Sequence, residues 1–184
     1  MTTLYKSLVR STLEYCCPLW NPSKVTEIQL IEGVQRTFTS QINGLQHLNY
    51  WDRLAQLKLM SLQRRRERYV ILMMWKILHK LVPNCCDIEF KATSRNGTVA
   101  VIPSLAKSSS SRNQTLYDQS FAVLGPKLWN KVPSTVRAAQ PFDVFKISLS
   151  NFLDLIPDNP PVTGYSCRWS NSLVDFTPAG RSDI

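Results

Sequence analysis

The stretch from Leu62 to Leu81 constrains this chain more than any other, because its apolar and charged residues separate onto different sides of one helix. Val70, Met74, Ile77, Leu78 and Leu81 follow the spacing 0, 4, 7, 8, 11, which predicts an amphipathic helix with a buried stripe. At about 100° per residue, Arg65, Tyr69, Lys76 and Lys80 fall within about 60° of one another, away from that stripe, with Arg64 and Arg68 on the next flank. Leu72 and Trp75 also fall outside the stripe and suggest a second contact surface. Ser61 is the expected N-cap, and Pro83 follows the end.

Charge is concentrated on the same stretch. The 184 residues carry a formal net charge of +9. Residues 1–52 balance four basic groups against four acidic ones, residues 53–80 set eight basic groups against Glu67 alone, and the remainder sets ten against eight. A localised patch of this kind predicts a polyanionic partner, nucleic acid first and a membrane surface second. A merely solvated face would mix Glu with Lys at i,i+4 spacing, and Glu67 stands alone there. The corresponding expectation is phosphate contact by Arg64, Arg65, Arg68, Lys76 and Lys80, with Tyr69 or Trp75 stacking on a base or sugar.

Around this helix the pattern predicts a mainly α chain. A first helix over about Thr3–Tyr15 would carry Leu4, Tyr5, Leu8, Val9, Thr12 and Leu13 on one side, until Pro18 stops it. Ser23 is placed to cap a second helix, with Glu27 at its positive end and Val25, Ile28, Ile31 and Phe38 as its apolar stripe, up to Asn43-Gly44. Asn49 would cap a short third helix carrying Trp51, Leu54 and Leu57 inward, with Asp52 in its first turn. Residues 84–116 change character: Asn96-Gly97, the β-branched run Thr98–Ile102 and the serines at 108–111 predict a short hairpin or irregular loop. Helical order returns at Gln119–Asn130 and again at Pro141–Leu155, where Phe142, Phe145, Leu149, Phe152 and Leu153 share a face. The aromatic clusters Tyr15 with Trp20 and Phe142 with Phe145 are expected in the core. Beyond Pro157 the composition predicts a disordered tail.

Tests for chemistry come back empty. No two aspartates are adjacent, so the clustered carboxylates of two-metal phosphoryl transfer are missing, as are a Gly-rich phosphate loop and a Gly-x-Ser-x-Gly elbow. The cysteines, Cys16, Cys17, Cys85, Cys86 and Cys167, form two vicinal pairs and a singleton; this suits neither a disulfide framework nor zinc, whose ligands are spaced by two to four residues. Reduced thiols, no metal, no cofactor and no enzymatic activity are the expectation. The longest apolar run, Val70–Trp75, is far short of the roughly 20 residues that span a bilayer, and the N-terminus lacks a signal peptide. No membrane partner and an intracellular location, nuclear or cytoplasmic, are expected.

Several runs in one consistent order resemble a known family. Leu4–Cys16 followed by Trp20-Asn21-Pro22, then Ile31-Glu32-Gly33-Val34-Gln35-Arg36, then Leu48–Leu54 are similar to segments behind the polymerase palm of non-LTR (LINE-type, jockey-like) retrotransposon reverse transcriptases. Leu57–Leu62 with Arg64-Arg65-Arg66, Lys76-Ile77-Leu78, Leu128-Trp129-Asn130-Lys131-Val132-Pro133 and Phe142-x-x-Phe145-Lys146 continue the likeness over roughly residues 3–153. The resemblance implies a helical thumb-like bundle over 1–82 with its basic helix at 62–81, a loop-rich linker over 83–118, a C-terminal helical extension over 119–156 and a tail over 157–184. It implies RNA, an RNA–DNA hybrid or a DNA duplex as partner, and a polymerase palm domain in a longer parent protein. The palm aspartates and the endonuclease of that family would lie before Met1, so the chain itself is expected to be non-catalytic. The alternatives are a protein-interaction or scaffold fragment, and a decayed remnant with no selected activity. Gly33 departs from the family, which has a charged or polar helix former there, at a cost of about 1 kcal/mol in helix propensity.

Overall fold

The computed structural model describes residues 2–22, 24–84, 88–92, 99–102, 120–162 and 171–175. The chain opens as a helical rod made of α1 (Thr2–Leu4), a π-helical turn over Tyr5–Val9 and α2 (Arg10–Glu14). The hydroxyls of Ser11 and Thr12 turn back to carbonyls one turn earlier and compete with the backbone ladder near this turn. Cys16 adopts left-handed φ (+51°) and reverses the chain into α3 (Cys17–Trp20). Pro18, expected to stop the first helix, instead opens α3, at a position where its missing N–H leaves no bond unmade.

α4 (Val25–Ser40) starts after an extended Lys24; the expected cap Ser23 lies outside the described residues. α5 (Tyr50–Leu57) is capped as its sequence predicts, with Asn49 Oδ1 accepting the Asp52 N–H at 2.9 Å. α6 (Leu62–Leu78) is likewise capped by Ser61 Oγ, which accepts the Arg64 N–H at 3.0 Å. It ends before Leu81, because Lys80 takes left-handed φ (+56°), and Leu81 is left 62% exposed rather than in the core. The expected hairpin is present as β1 (Glu89–Ala92) antiparallel to β2 (Val99–Ile102), with Glu89 opposite Ile102 and Ala92 opposite Val99. Its Asn96-Gly97 connection and the serine run at 108–111 lie outside the described residues, as do Cys85, Cys86 and Cys167. α7 (Phe121–Lys131), α8 (Ser134–Arg137) and α9 (Phe142–Asp154) complete the helices among the described residues.

The main core lies where α6 meets α7 and α9. Val70, Ile71, Met74 and Ile77 pack with Leu128, Trp129, Phe145, Leu149 and Leu153, all buried. Gly125 lets α7 come close to α6: a Cβ there would sit 2.7 Å from Met74 Sδ. The segments 1–82 and 119–156, distinct in the sequence, therefore share one core. Leu72 and Trp75 are part of it, 8% and 4% exposed, and Trp75 meets the rings of Phe142 (5.0 Å) and Phe145 (5.6 Å). The second contact surface read from the helix is thus used internally, by α9. The other aromatic pair behaves differently: Tyr15 and Trp20, expected in the core, are 76% and 41% exposed.

Part of the expected disordered tail is packed. Residues 157–162 and 171–175 lie over the start of α6 and over α5, burying Val162 and Leu173, and the Pro160 carbonyl accepts from Trp51 Nε1. Their composition lacks periodicity because polar bonds to α6, rather than an apolar stripe, hold them. Residues 163–170 and 176–184 lie outside the described residues.

Candidate functional site

The six residues expected to meet a polyanion divide into two groups. Arg64, Arg65 and Tyr69 turn inward to partners within the chain. A terminal nitrogen of Arg64 donates to the carbonyls of Pro157 (3.0 Å) and Asn171 (3.1 Å), its Nε lies 3.9 Å from Asp158 Oδ1, and the residue is 2% exposed. Arg65 forms a two-pronged ion pair with Glu14, one prong through Nε and the other a terminal nitrogen at 2.8 Å from Oε2. The Tyr69 hydroxyl accepts from Arg65 at 3.0 Å and donates to the same Glu14 oxygen at 3.2 Å. Burial works against the Arg65 charge, but the Glu14 hydrogen bond and attraction outweigh it and hold the guanidinium more firmly protonated than usual. Arg66, between them, is fully buried and donates to Asn21 Oδ1 at 3.1 Å.

Arg68, Lys76 and Lys80 reach the surface to different degrees. Arg68 is half-buried, and burial followed by repulsion from Arg65 lowers its pKa. Lys76 is half-buried with Nζ 5.2 Å from the Phe142 ring centroid, and Lys80 is exposed beyond the helix end. The continuous cationic face read from the helical wheel is therefore largely internal. A wheel drawn for one helix cannot show partners that arrive from 51 or 93 residues away, as Glu14 and Pro157 do.

A buried polar network, unmarked by the sequence reading, joins four elements. The Tyr5 hydroxyl donates to Gln35 Oε1 (3.0 Å), Gln35 Nε2 donates to the Tyr50 hydroxyl (3.2 Å) and to the Met60 carbonyl (3.2 Å), and Tyr50 donates to Glu32 Oε2 (2.7 Å). The other Glu32 oxygen accepts the Gln63 N–H at 2.7 Å, in the first turn of α6. Burial raises the Glu32 pKa to about 7, opposed by the Tyr50 and Gln63 hydrogen bonds and by attraction to Arg66. Glu67, one turn further along α6, accepts from Ser172 Oγ (2.7 Å) and the Leu173 N–H, and burial raises it to about 7 as well. Asp158 closes the arrangement by accepting the N–H and Oγ–H of Ser61, both at 2.7 Å.

This network turns α4 around. Its buried residues are Ile28, Glu32, Gln35 and Thr39, at spacing 0, 4, 7, 11, so the inward stripe is mostly polar. Of the apolar stripe expected there, Ile28 is buried, Ile31 and Phe38 are half-buried, and Val25 is 56% exposed. Leu30 and Val34, one turn apart, are 75% and 40% exposed. The N-terminal rod shares the pattern: Tyr5 is buried and stacks on Phe38 at 4.1 Å, but Leu4 and Leu8 are each 64% exposed. Leu19 is 84% exposed on α3. The 0, 4, 7, 11 run of Ile28, Glu32, Gln35 and Thr39 was the available signal for this orientation, and it competes with an apolar run of similar regularity.

Among the described residues no three His, Cys, Asp or Glu side chains gather as a metal site. Cys16 and Cys17 are free thiols, and burial pushes Cys17 up to about 11, away from thiolate chemistry. No helix among the described residues is long and apolar enough to cross a membrane. Comparison with protein-family models finds no match, and comparisons with curated proteins and with solved structures find none of significance.

Proposed function

We propose that this chain is a non-catalytic helical module of the kind that follows the palm in LINE-type retrotransposon reverse transcriptases, and that it works by docking against a neighbouring protein domain. The observation that carries the docking reading is the orientation of α4 and the N-terminal rod, which spend their polar groups inward and leave Leu4, Leu8, Leu30 and Val34 outward, with Leu19 of α3 exposed beside them in sequence. Exposed apolar residues concentrated in this way mark an interaction surface. In a longer RNA-directed DNA polymerase the occupant would be the palm domain. The family reading draws support from where its motif residues go. Glu32 and Gln35 of the Ile31–Arg36 run and Tyr50 of the Leu48–Leu54 run hydrogen-bond one another, against the start of the helix that carries Arg64-Arg65-Arg66. Unrelated short matches would have no reason to converge on one buried network.

Light scattering coupled to size exclusion tests the docking reading. The isolated chain is expected to self-associate as its concentration rises, and Leu8→Lys with Leu30→Lys to return it to monomer; the palm domain of a LINE-type reverse transcriptase, added in excess, should form a 1:1 complex. A chain that stays monomeric and ignores the palm overturns it.

A second reading, contact with a template–primer duplex, keeps the support of the net charge of +9 and of the exposed lysines 6, 24, 58, 80, 127 and 131. It predicts affinity for an RNA–DNA hybrid that falls steeply with salt. Arg65→Ala should cost stability, since Arg65 is tied to Glu14, whereas Lys76→Ala with Lys80→Ala should flatten the salt slope. An unchanged slope removes α6 from that reading.

A further inference from the structure

The cleft between α4 and α5 differs in its charge from the larger groove beside the N-terminal rod. The cleft encloses about 590 Å³ and is lined by Gly33, Arg36, Thr37 and Ser40 from one face of α4, with His47, Asn49 and Arg53 across from them. Those α4 residues fall at spacing 0, 3, 4, 7, a single helical face. No Asp or Glu among the described residues lines it. The carboxylates carried by the two helices are engaged elsewhere: Glu32 is buried on Tyr50 and the Gln63 N–H, Asp52 accepts from Asn49 Nδ2, and Glu27 pairs with Lys24. The larger groove of about 930 Å³ beside the N-terminal rod makes the contrast, since Lys6, Arg10 and Lys58 there face Asp52, Asp154 and Asp158.

Arg53 is the residue that gives the cleft a purpose. It is 6% exposed, so its charge is held out of water, and among the described residues no carboxylate pairs with it. One terminal nitrogen donates to the Leu48 carbonyl at 3.3 Å, the guanidinium lies 6.0 Å from the Tyr50 ring, and Nε has no hydrogen-bond partner. A buried guanidinium with donors to spare is costly unless an anion answers it. Gly33 keeps the wall of the cleft low, because a Cβ there would meet nothing within 4 Å.

We propose that the α4–α5 cleft is a phosphate-binding site, with Arg53 supplying the charge and His47 and Thr37 supplying further hydrogen-bond donors. A phosphate group suits this set because its oxygens only accept, and guanidinium donors match them in forked geometry. The ligand is either a free phosphate monoester or one phosphate of a nucleic-acid backbone. The site stands whether or not the apolar face docks on a protein.

The test is an amide-resolved NMR titration of the full chain with inorganic phosphate at constant ionic strength, with sodium chloride as the matched control. Saturable shifts confined to residues around 33–40 and 46–53 are expected with phosphate and not with chloride. His47→Gln, at the cleft mouth, should weaken binding about tenfold while leaving the remaining spectrum unchanged. Gly33→Leu should fill the cleft and abolish binding even if Arg53 variants fail to fold. A ten-nucleotide single-stranded RNA then separates the sources: displacement of phosphate by RNA assigns the site to a nucleic-acid backbone, and phosphate binding that RNA leaves intact assigns it to a small monoester. Shifts that do not saturate, that chloride reproduces, or that survive Gly33→Leu overturn the proposal.

Discussion

Raising the pH from 5 to 8 should destabilise this protein, and two buried carboxyls set how much. Glu32 and Glu67 are both buried, and burial lifts each from its ordinary 4.5 to about 7. Between those values the folded chain holds protons that the unfolded chain has released, so stability falls as pH rises through 7 and levels off beyond it. A change of that size corresponds to about 3 kcal/mol for each group. Set against a total of about 5–15 kcal/mol for a domain, the loss is large. Urea unfolding followed by far-ultraviolet circular dichroism, at pH 5, 6, 7 and 8, reads it directly: the midpoint should move down to about pH 7 and then level off, with the denaturant slope constant. Glu32→Gln retains an acceptor for the Gln63 N–H and should remove about half of the pH dependence; Glu67→Gln should remove the other half. A midpoint that is flat or climbs between pH 5 and 8 would refute the reasoning, as would a Glu32→Gln variant with the full wild-type dependence.

Three further outcomes follow from the same contacts. Glu14→Ala strands Arg65 and Arg10 without their shared acceptor and should cost about 3 kcal/mol, measured by chemical denaturation, with Arg65→Ala nearly silent in the Glu14→Ala background. Asp158→Ala removes bonds to both Ser61 donors and to Asn171 and should cost about 2 kcal/mol, with hydrogen exchange rising at residues 157–162 and 171–175 before the core. Gly33→Ala meets no neighbour and should raise stability by about 0.5–1 kcal/mol, seen as a higher Tm.

Local signals in the sequence translated into structure wherever the partner was also local. Asn49 and Ser61 cap their helices because the N–H groups they accept lie three residues on, and Phe145, Leu149 and Leu153 face the core because one helix decides their relative angles. Orientation against the rest of the molecule is another matter. Which side of α4 faces inward depends on Tyr50, Met60 and Gln63 standing opposite it, and their bonds outweigh the exposure of Leu30 and Val25. The same holds for the basic helix. Nothing within Leu62–Leu78 reveals that Glu14 waits for Arg65, or that backbone carbonyls from beyond residue 156 wait for Arg64. Arg53, the residue on which the phosphate proposal rests, is one of eight cations in the window first read as a patch, and only its place in the α4–α5 cleft sets it apart.

The strap that crosses the start of α6 has a consequence for how the chain is made. Arg64, Ser61 and Glu67 find their partners 93, 97 and 105 residues downstream. A ribosome adding about 5–20 residues per second needs on the order of 5–20 s to supply them. During that interval the helix start carries two ions fated for the interior with nothing to satisfy them, so the nascent bundle would stay loose at that end. A premature stop codon between α9 and Asp158 would leave every described helix encoded and still yield a product that never tightens.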